Sequence, residues 1–204
     1  MYKKVKRFLD IMMALALLAF SSPFFVIIPL IIFIEDSEGS FLFSQTRLGK
    51  CEKPFILYKF RSMRIQDSEN GVMLTDTERM LKVGKFIRKT SLDELPQLFN
   101  ILKGEMSFIG PRPLFVDYLP YYTEEEKLRH SVSPGLSGWA QVNGRNKISW
   151  DDKLRMDVYY VKHFSFSLDL KIFILTLKKV LLGADVVHDS GEELTQTLSE
   201  YRSR

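Results

Sequence analysis

Hydrophobic residues are distributed along this chain in two distinct ways. From Ile11 to Ile34 the run IMMALALLAFSSPFFVIIPLIIFI carries no charge at all. As one helix it would extend roughly 36 Å, against about 30 Å of bilayer hydrocarbon, so the pattern predicts a membrane segment. No small-residue cleavage site follows before Glu35 and Asp36, which argues against a removed signal peptide. Lys3, Lys4, Lys6 and Arg7 precede the run and place the N-terminus in the cytosol by the positive-inside rule. Ser22 and Pro23 interrupt it, and Pro29 adds a second irregularity. A proline there removes one helical hydrogen bond, and neighbouring serine hydroxyls are suited to satisfy the freed carbonyls. Two geometries fit: a kinked span, and a helix that turns at Ser22-Pro23 and returns to the side it entered. On these residues alone the kinked span is the simpler expectation.

Beyond Gly39 the apolar positions become periodic and are broken by polar residues, as in a mixed soluble domain. Phe41–Gln45 and Phe55–Lys59 predict a β-hairpin across a turn containing glycine and lysine. Thr75 with Glu78 is a capping box opening a helix through Met80, Leu81, Val83, Phe86 and Ile87. Ser91 with Glu94 reads as a second box, starting a helix that Gly104 stops. Thr123 with Glu126 caps a third, and Ser149 begins a fourth that runs to about His163. Phe164–Leu182 is apolar at Leu170, Phe173, Ile174, Leu177 and Leu181, but Asp169, Lys171, Lys178 and Lys179 make it too polar to span a membrane. A core helix and a helix lying in the headgroup region both fit this pattern. From His188 onward the chain is polar and reads as a mobile tail.

Composition narrows the chemistry. The 204 residues carry a formal net charge of +4, compatible with phosphate or lipid-surface partners, but they lack the dense basic stripe of a nucleic-acid binder. Cys51 is the only cysteine and there are three histidines, so zinc has no ligand set; a metal would be a hard cation such as Mg²⁺. Lys59 and Arg61 alternate onto one strand face, suited either to solvent or to a phosphate. Lys85, Arg88 and Lys89 precede the acid pair Asp93-Glu94, which ordinarily would be read as helix-capping acids. In Gly110-Pro111-Arg112-Pro113 two prolines fix the backbone around one arginine, either as a plain rigid turn or as a phosphate or base clamp. The loop PGLSGWAQVNGR ends at Arg145 and is not a Walker loop.

Three segments in this order, KPFILYKFRSM, SLDELPQLFNILKGEMSFIGPRP and PGLSGWAQVNGR, resemble the bacterial sugar transferase family. The resemblance is to its small monotopic phosphoglycosyl transferases, with PglC-type members of protein N-glycosylation pathways the nearest, and covers about Lys3 to Asp185. It implies transfer of a sugar-1-phosphate from a UDP-sugar to polyprenyl (undecaprenyl) phosphate with release of UMP, requiring Mg²⁺. In the family the first acid of the pair is the nucleophile, here Asp93, which forms a covalent phosphosugar intermediate. Glu94 is carried over with it, Lys59, Arg88 and Arg112 fall on basic positions that hold phosphates or uridine, and Asp93 is also a metal ligand candidate. Arg61, Pro111, Pro113 and Arg145 complete the expected substrate-binding set. Because UDP-sugars are cytosolic, the resemblance favours the re-entrant anchor, with Ser22 and Pro23 at its turn. The expected location is the cytoplasmic face of a bacterial inner membrane. A PglC-type donor would be an N-acetylated sugar such as UDP-N,N′-diacetylbacillosamine. Glu105 stands where relatives often have aspartate.

The resulting expectation is an α+β, mainly helical protein: a re-entrant N-terminal membrane helix hairpin, then a compact domain with a small β-hairpin and interfacial amphipathic helices. Residues 1–38 would form the anchor, 39–187 the catalytic domain and 188–204 the tail. The competing readings are a glycosyltransferase that releases UDP, and a membrane-anchored scaffold in which the acid pair only caps a helix.

Overall fold

The computed structural model describes residues 2–69, 72–144, 148–182 and 197–203. The uncharged run forms two helices, α1 (Tyr2–Ser21) and α2 (Phe24–Glu35), bent by 56° at Ser22-Pro23. The serines act as anticipated: Ser21 Oγ donates to the Leu17 carbonyl at 2.6 Å and Ser22 Oγ to that of Ala19 at 2.9 Å. Among the described residues no single helix is long and apolar enough to cross a membrane, although the bent pair is by length and composition. Phe8, Phe20, Val26, Phe33 and Ile34 stand exposed on it.

Both arms are tied to one body. On α1, Lys6 Nζ lies 2.7 Å from Asp169 and Arg7 donates to the Ile101 and Leu102 carbonyls at 2.5 and 2.7 Å. Buried Asp10 accepts from Ser107 Oγ and the Phe108 amide, each at 3.1 Å. At the end of α2, Asp36 pairs with Arg61 at 2.5 Å, and Glu35 accepts from the Lys82 and Val83 amides. Glu35 thereby satisfies the first free N–H groups of α4 (Lys82–Lys89), a task usually left to a local cap.

The domain beyond contains the expected hairpin, β1 (Leu42–Leu48) against β2 (Pro54–Phe60), antiparallel from Leu42↔Phe60 to Leu48↔Pro54. Ser68–Glu69 and Val72–Met73 form a minimal pair, β3 and β4. A short parallel pair, β5 (Ser107–Ile109) with β6 (Gly135–Ser137), joins the two glycine-containing motifs. Helices α5 (Gln97–Lys103), α6 (Trp139–Asn143), α7 (Trp150–Lys162) and α8 (Phe166–Leu182) pack around it. Leu57, Leu98, Ile101, Met106, Tyr160 and Ile172 form the central core linking β2, α5, α7 and α8. A second cluster, Ile28, Ile32, Phe60, Leu81 and Ile87, fastens α2 to β2 and α4. On α8 Ile172 is fully buried, as a core helix requires, while Phe166, Leu170, Ile174, Leu177 and Val180 form an exposed apolar stripe.

Four local expectations change. The Thr75 box forms, but its helix α3 (Asp76–Arg79) ends at Met80, where extended backbone bridges to Met63 before α4 begins. The Thr123–Glu126 bonds form and open a 3-10 turn, Glu126–Ser131, rather than an α-helix. Ser91 does not cap at all: its φ of 57° is left-handed, and an N-cap needs extended backbone. Finally, part of the tail is docked. Thr197 and Glu200 form a capping box on α9 (Leu198–Arg202), Leu198 is fully buried beside Tyr118 and Trp150, and Arg202 pairs with Glu126 and Asp151. The Ser149 cap on α7 forms as read.

Behind Pro113 lies the buried pair Arg129–Asp157 at 2.8 Å, with His130 beside it against Tyr122. Burial, reinforced by Arg129, pushes the His130 imidazole down to about 4. Its folded value is depressed, so the unfolded chain takes up the proton first as pH falls. The contribution is complete above about pH 6.5 and is lost as pH falls toward 4, amounting to about 2–3 kcal/mol. Urea denaturation across that window should therefore show a shallower acid slope for His130→Gln than for the natural chain.

Candidate active site

Asp93 is placed by an unusual local backbone. With Ser91 left-handed, its amide donates to the Arg88 carbonyl at 3.1 Å, and Leu92–Glu94 closes a 3-10 turn before Pro96 starts α5. Asp93 therefore precedes the α-helix rather than occupying its first turn. It is buried, at 6 % exposure, with Lys59 from β2 reaching across. Lys59 Nζ is 3.0 Å from Glu94 Oε1 and 3.8 Å from Asp93 Oδ2. Arg112 lies 3.6 Å from the same Glu94 oxygen. Glu94 is thus held by Lys59 and Arg112, not by a capping bond to Ser91. Two adjacent carboxylates in a half-buried site repel, and the ammonium set beside both offsets that repulsion.

The other expected residues separate into distinct positions. Arg88 Nε donates to Ser62 Oγ at 2.8 Å and one terminal nitrogen to Met63 Sδ at 3.4 Å; its other terminal nitrogen is buried without a partner. Arg61 is buried and bonded to Asp36, a tie to α2, and it lines the same cavity as Lys59 and Asp93. Alternation along a strand placed it with Lys59, but an acid at the end of α2 takes its guanidinium. Pro111 accepts from the Gly135 amide at 2.9 Å, and Gly110 donates to Ser137 at 2.8 Å. A Cβ on Gly135 would meet the Gly110 amide nitrogen at 2.1 Å, so glycine is required for this approach. Arg145 lies outside the described residues.

Three further residues escaped the reading of the sequence. Arg129 donates to the Arg112 carbonyl at 2.7 Å while Asp157 holds it at 2.8 and 3.1 Å, so a buried ion pair fixes the backbone of Arg112. Lys153, on α7 and only 7 % exposed, faces the same space as Asp93. No motif marks these positions, since they converge from elements distant in sequence. Asn100, fully buried on α5, donates to the Ile56 carbonyl and to Glu105, and accepts from the Tyr58 amide, fixing β2 next to Lys59. Glu105 keeps a hydrogen-bonding role despite its longer side chain.

Two cavities meet at Asp93. The first, about 520 Å³, is lined by cations that include Arg47, Lys59 and Arg64, with the aromatic rings of Tyr118 and Trp150. The second, about 570 Å³, runs between α1, α6 and α8 past Met13, Leu17, Phe173, Leu177 and Val180. Among the described residues, only Arg88, Asp93, Arg112 and Lys153 line both.

A family model for bacterial sugar transferases matches residues 1–183. The chain belongs to the bacterial sugar transferase family. It is 48 % identical over 194 residues to the sugar transferase EpsL of Bacillus subtilis, covering 94 % of this chain and 96 % of that protein. It is 41 % identical to the UDP-N-acetylgalactosamine-undecaprenyl-phosphate N-acetylgalactosaminephosphotransferase of Aeromonas hydrophila, over 89 % of this chain and 45 % of that protein. Identity to the UDP-glucose:undecaprenyl-phosphate glucose-1-phosphate transferase of Escherichia coli is 40 %, over 86 % of this chain and 40 % of the relative. The chain thus spans nearly all of the Bacillus relative and under half of the other two. As a family member it is a transferase of phosphosugar groups, and α9 lies beyond the matched region.

Asn100→Ala would leave the Ile56 carbonyl, the Tyr58 amide and the Glu105 carboxylate short of partners. A stability loss of about 1–3 kcal/mol is expected in urea denaturation, since buried polar groups then go unsatisfied.

Proposed function

We propose that this transferase moves a sugar-1-phosphate from a UDP-sugar to a polyprenyl phosphate such as undecaprenyl phosphate, releasing UMP, with Asp93 as nucleophile. The observation that carries this reading is a buried carboxylate shared by a cationic cavity and an apolar one. A nucleoside diphosphate needs the first, with charge for its phosphates and rings for its base. A lipid phosphate needs the second, which opens toward the exposed apolar helices. The printed names of the Aeromonas and Escherichia relatives, which join a UDP-sugar to undecaprenyl phosphate, support the same pair of substrates.

In the first step an Asp93 oxygen attacks the phosphorus bearing the sugar, and the bond to the bridging oxygen breaks. UMP leaves with that oxygen and its electron pair, and the sugar phosphate remains on Asp93 as an acyl phosphate. In the second step an oxygen of the polyprenyl phosphate attacks the same phosphorus. The Asp93–phosphorus bond breaks, which restores the carboxylate and leaves a polyprenyl diphosphosugar. Lys59 offsets the charge of Asp93 and Glu94, Arg112 and Arg88 offset the phosphate charge, and burial strengthens each of these interactions. Among the described residues no group of three or more acidic, histidine or cysteine side chains could hold a metal. Two neighbouring carboxylates do fit a Mg²⁺ that arrives on a diphosphate, since Mg²⁺ commonly takes one or two carboxylates and completes its shell with phosphate and water. Asp93 and Glu94 would hold it, and it would neutralise developing phosphate charge.

For the anchor we favour the monotopic, re-entrant reading on the cytoplasmic face of a bacterial inner membrane. A helix pair bent at Ser22-Pro23 with both outer ends tied to one domain is hard to reconcile with ends on opposite faces of a bilayer. The stripe on α8 would lie along the same headgroup plane. The sugar does not follow from family membership, because the relatives' names carry glucose, galactose and N-acetylgalactosamine. Neither a diacetamido sugar nor a role in N-linked glycoprotein assembly draws support from those names.

Incubated with UDP-sugar and Mg²⁺ but no lipid, the protein should release about one UMP per active site and gain the mass of a phosphosugar on Asp93. Asp93→Asn should abolish both. Release of UDP, or full turnover by Asp93→Asn, would sink the two-step reading. For the anchor, Cys51 is exposed, and a cysteine introduced at Tyr2 should be labelled from the same side of sealed vesicles as Cys51. Labelling from opposite sides would restore the kinked span.

A further inference from the structure

The family match ends at residue 183, and α9 lies beyond it, yet α9 is docked on the body of the domain. Leu198 is fully buried in one cluster with Leu48, Leu114, Tyr118, Trp150 and Leu154, and its backbone donates a hydrogen bond to the Tyr118 hydroxyl. Tyr201 Oη donates to Asp151 at 2.9 Å, and Arg202 reaches Asp151 at 2.8 Å and Glu126 at 2.5 Å. Of the residues in that cluster, Leu114, Tyr118 and Trp150 line the cationic cavity. Leu198, Tyr201 and Arg202 line neither cavity.

The rings in front of Leu198 form a wall. Phe115 meets Tyr118 at 5.4 Å and Tyr118 meets Trp150 at 5.5 Å, both edge to face, with the Arg47 guanidinium 3.6 Å from the Phe115 ring centroid. Two separate elements carry this wall. Tyr118 lies in a 3-10 turn, Val116–Tyr121, that Phe115 precedes and that contains Pro120, which has no amide to donate. Such turns have poor hydrogen-bond geometry, so tertiary contacts must hold this one. Trp150 opens α7. Leu198 packs on the turn, while Tyr201 and Arg202 bond Asp151, the neighbour of Trp150. From behind, α9 therefore ties the two halves of the wall together.

We infer that α9 is a positioning element for the nucleoside end of the donor site, with Leu198 setting the Tyr118–Trp150 wall against which the uridine base packs. This rests on the assignment of the cationic cavity to the UDP-sugar made above. Leu198 acts through the rings and does not touch substrate. Rings held in place before the base arrives lose little freedom when it binds, so loosening them weakens the nucleotide. None of the three rings lines the apolar cavity, so the lipid substrate does not meet this wall.

The full chain with single substitutions separates this role from a merely structural one. By titration calorimetry, Leu198→Ala should weaken UMP binding about tenfold, as two rings that must order on binding require. In the two-step reaction UMP has left before the lipid attacks. The kcat/KM for UDP-sugar should therefore fall by about the same tenfold, while kcat and kcat/KM for polyprenyl phosphate stay within about twofold. A loss of folded enzyme would lower all three together, and that outcome, or an unchanged UMP affinity, would overturn the proposal. Leu198→Met refills the space and should recover most of the affinity; no recovery would count against positioning. Arg202→Met keeps Leu198 but releases α9 from Glu126 and Asp151, and should give a smaller shift confined to the same two readings. If the natural chain released no UMP from a UDP-sugar, the reaction proposed above would fall. UMP affinity that still depended on Leu198 would then keep α9 as the support of a nucleotide site, and no UMP binding at all would overturn both.

Discussion

The bend at Ser22-Pro23, with both of its arms fastened to one domain, is the constraint on which the rest of the structure depends. Lys6 and Arg7 tie α1 to α8 and to the end of α5, while Asp36 and Glu35 tie α2 to Arg61 and to the start of α4. These ties reach the site through short paths. Glu35 caps α4, and α4 carries Arg88 in its last turn, next to the left-handed Ser91 and the Asp93 turn. Arg7 takes the terminal carbonyls of α5, and α5 carries the Asn100 that holds β2 in place beside Lys59. The apolar anchor and the acid pair are therefore one mechanical unit. Partly buried ion pairs such as Lys6–Asp169 contribute more to this fixed geometry than to net stability, because desolvation offsets most of their attraction.

The features legible in the sequence were those fixed by neighbours along the chain. Ser149 and Thr75 cap as their patterns say, since a capping box is closed by residues three apart. The proline break and its serine hydroxyls were equally local. Ser91 had the same spacing to Glu94 but lost to two distant cations, Lys59 and Arg112, which take the Glu94 carboxylate. The left-handed Ser91 costs roughly 1–2 kcal/mol, and such strain persists where surrounding structure over-determines it. Arg61 is governed in a similar way: strand alternation gives it a face toward the cavity of Lys59, and Asp36, from another element, decides where the guanidinium goes. The docked end of the tail was legible after all, since Thr197 and Glu200 repeat the box of Thr75 and Glu78, yet the polar composition around them hid it.

Arg129, Asp157 and Lys153 could not have been found from spacing, and they show what the domain adds to its motifs. The segment from Gly110 to Pro113 looks self-sufficient, with prolines on either side of Arg112. In the fold its arginine carbonyl is gripped by a guanidinium that is 3 % exposed and itself held by Asp157. Two prolines narrow the backbone of Arg112, and the buried pair selects among what remains. For Arg112 to act as a phosphate clamp, both halves of that arrangement would be needed, since a side chain that must order on binding gives back part of its affinity as entropy.

In the proposed reaction a carboxylate nucleophile facing a diphosphate must remain an anion while attracting another, and the surroundings of Asp93 would reconcile these demands by dividing the work. Lys59 is set against the acid pair and, of the two cavities, lines the cationic one, so in that reaction it would serve Asp93 whatever else is bound. Arg88, Arg112 and Lys153 border both cavities, where they would present positive charge to an arriving phosphate. Were all four cations packed on Asp93, the carboxylate would be over-stabilised and a poor nucleophile; were none near it, the site would repel its own substrate. The apolar cavity adds a second condition. A hydrocarbon-lined approach disfavours bulk water beside an acyl phosphate that hydrolysis would waste, and lined by α1 and α8 it reaches the carboxylate from the side of the exposed apolar helices. The same bend that keeps both apolar arms on one body would thus also keep the proposed intermediate away from the solvent that would destroy it.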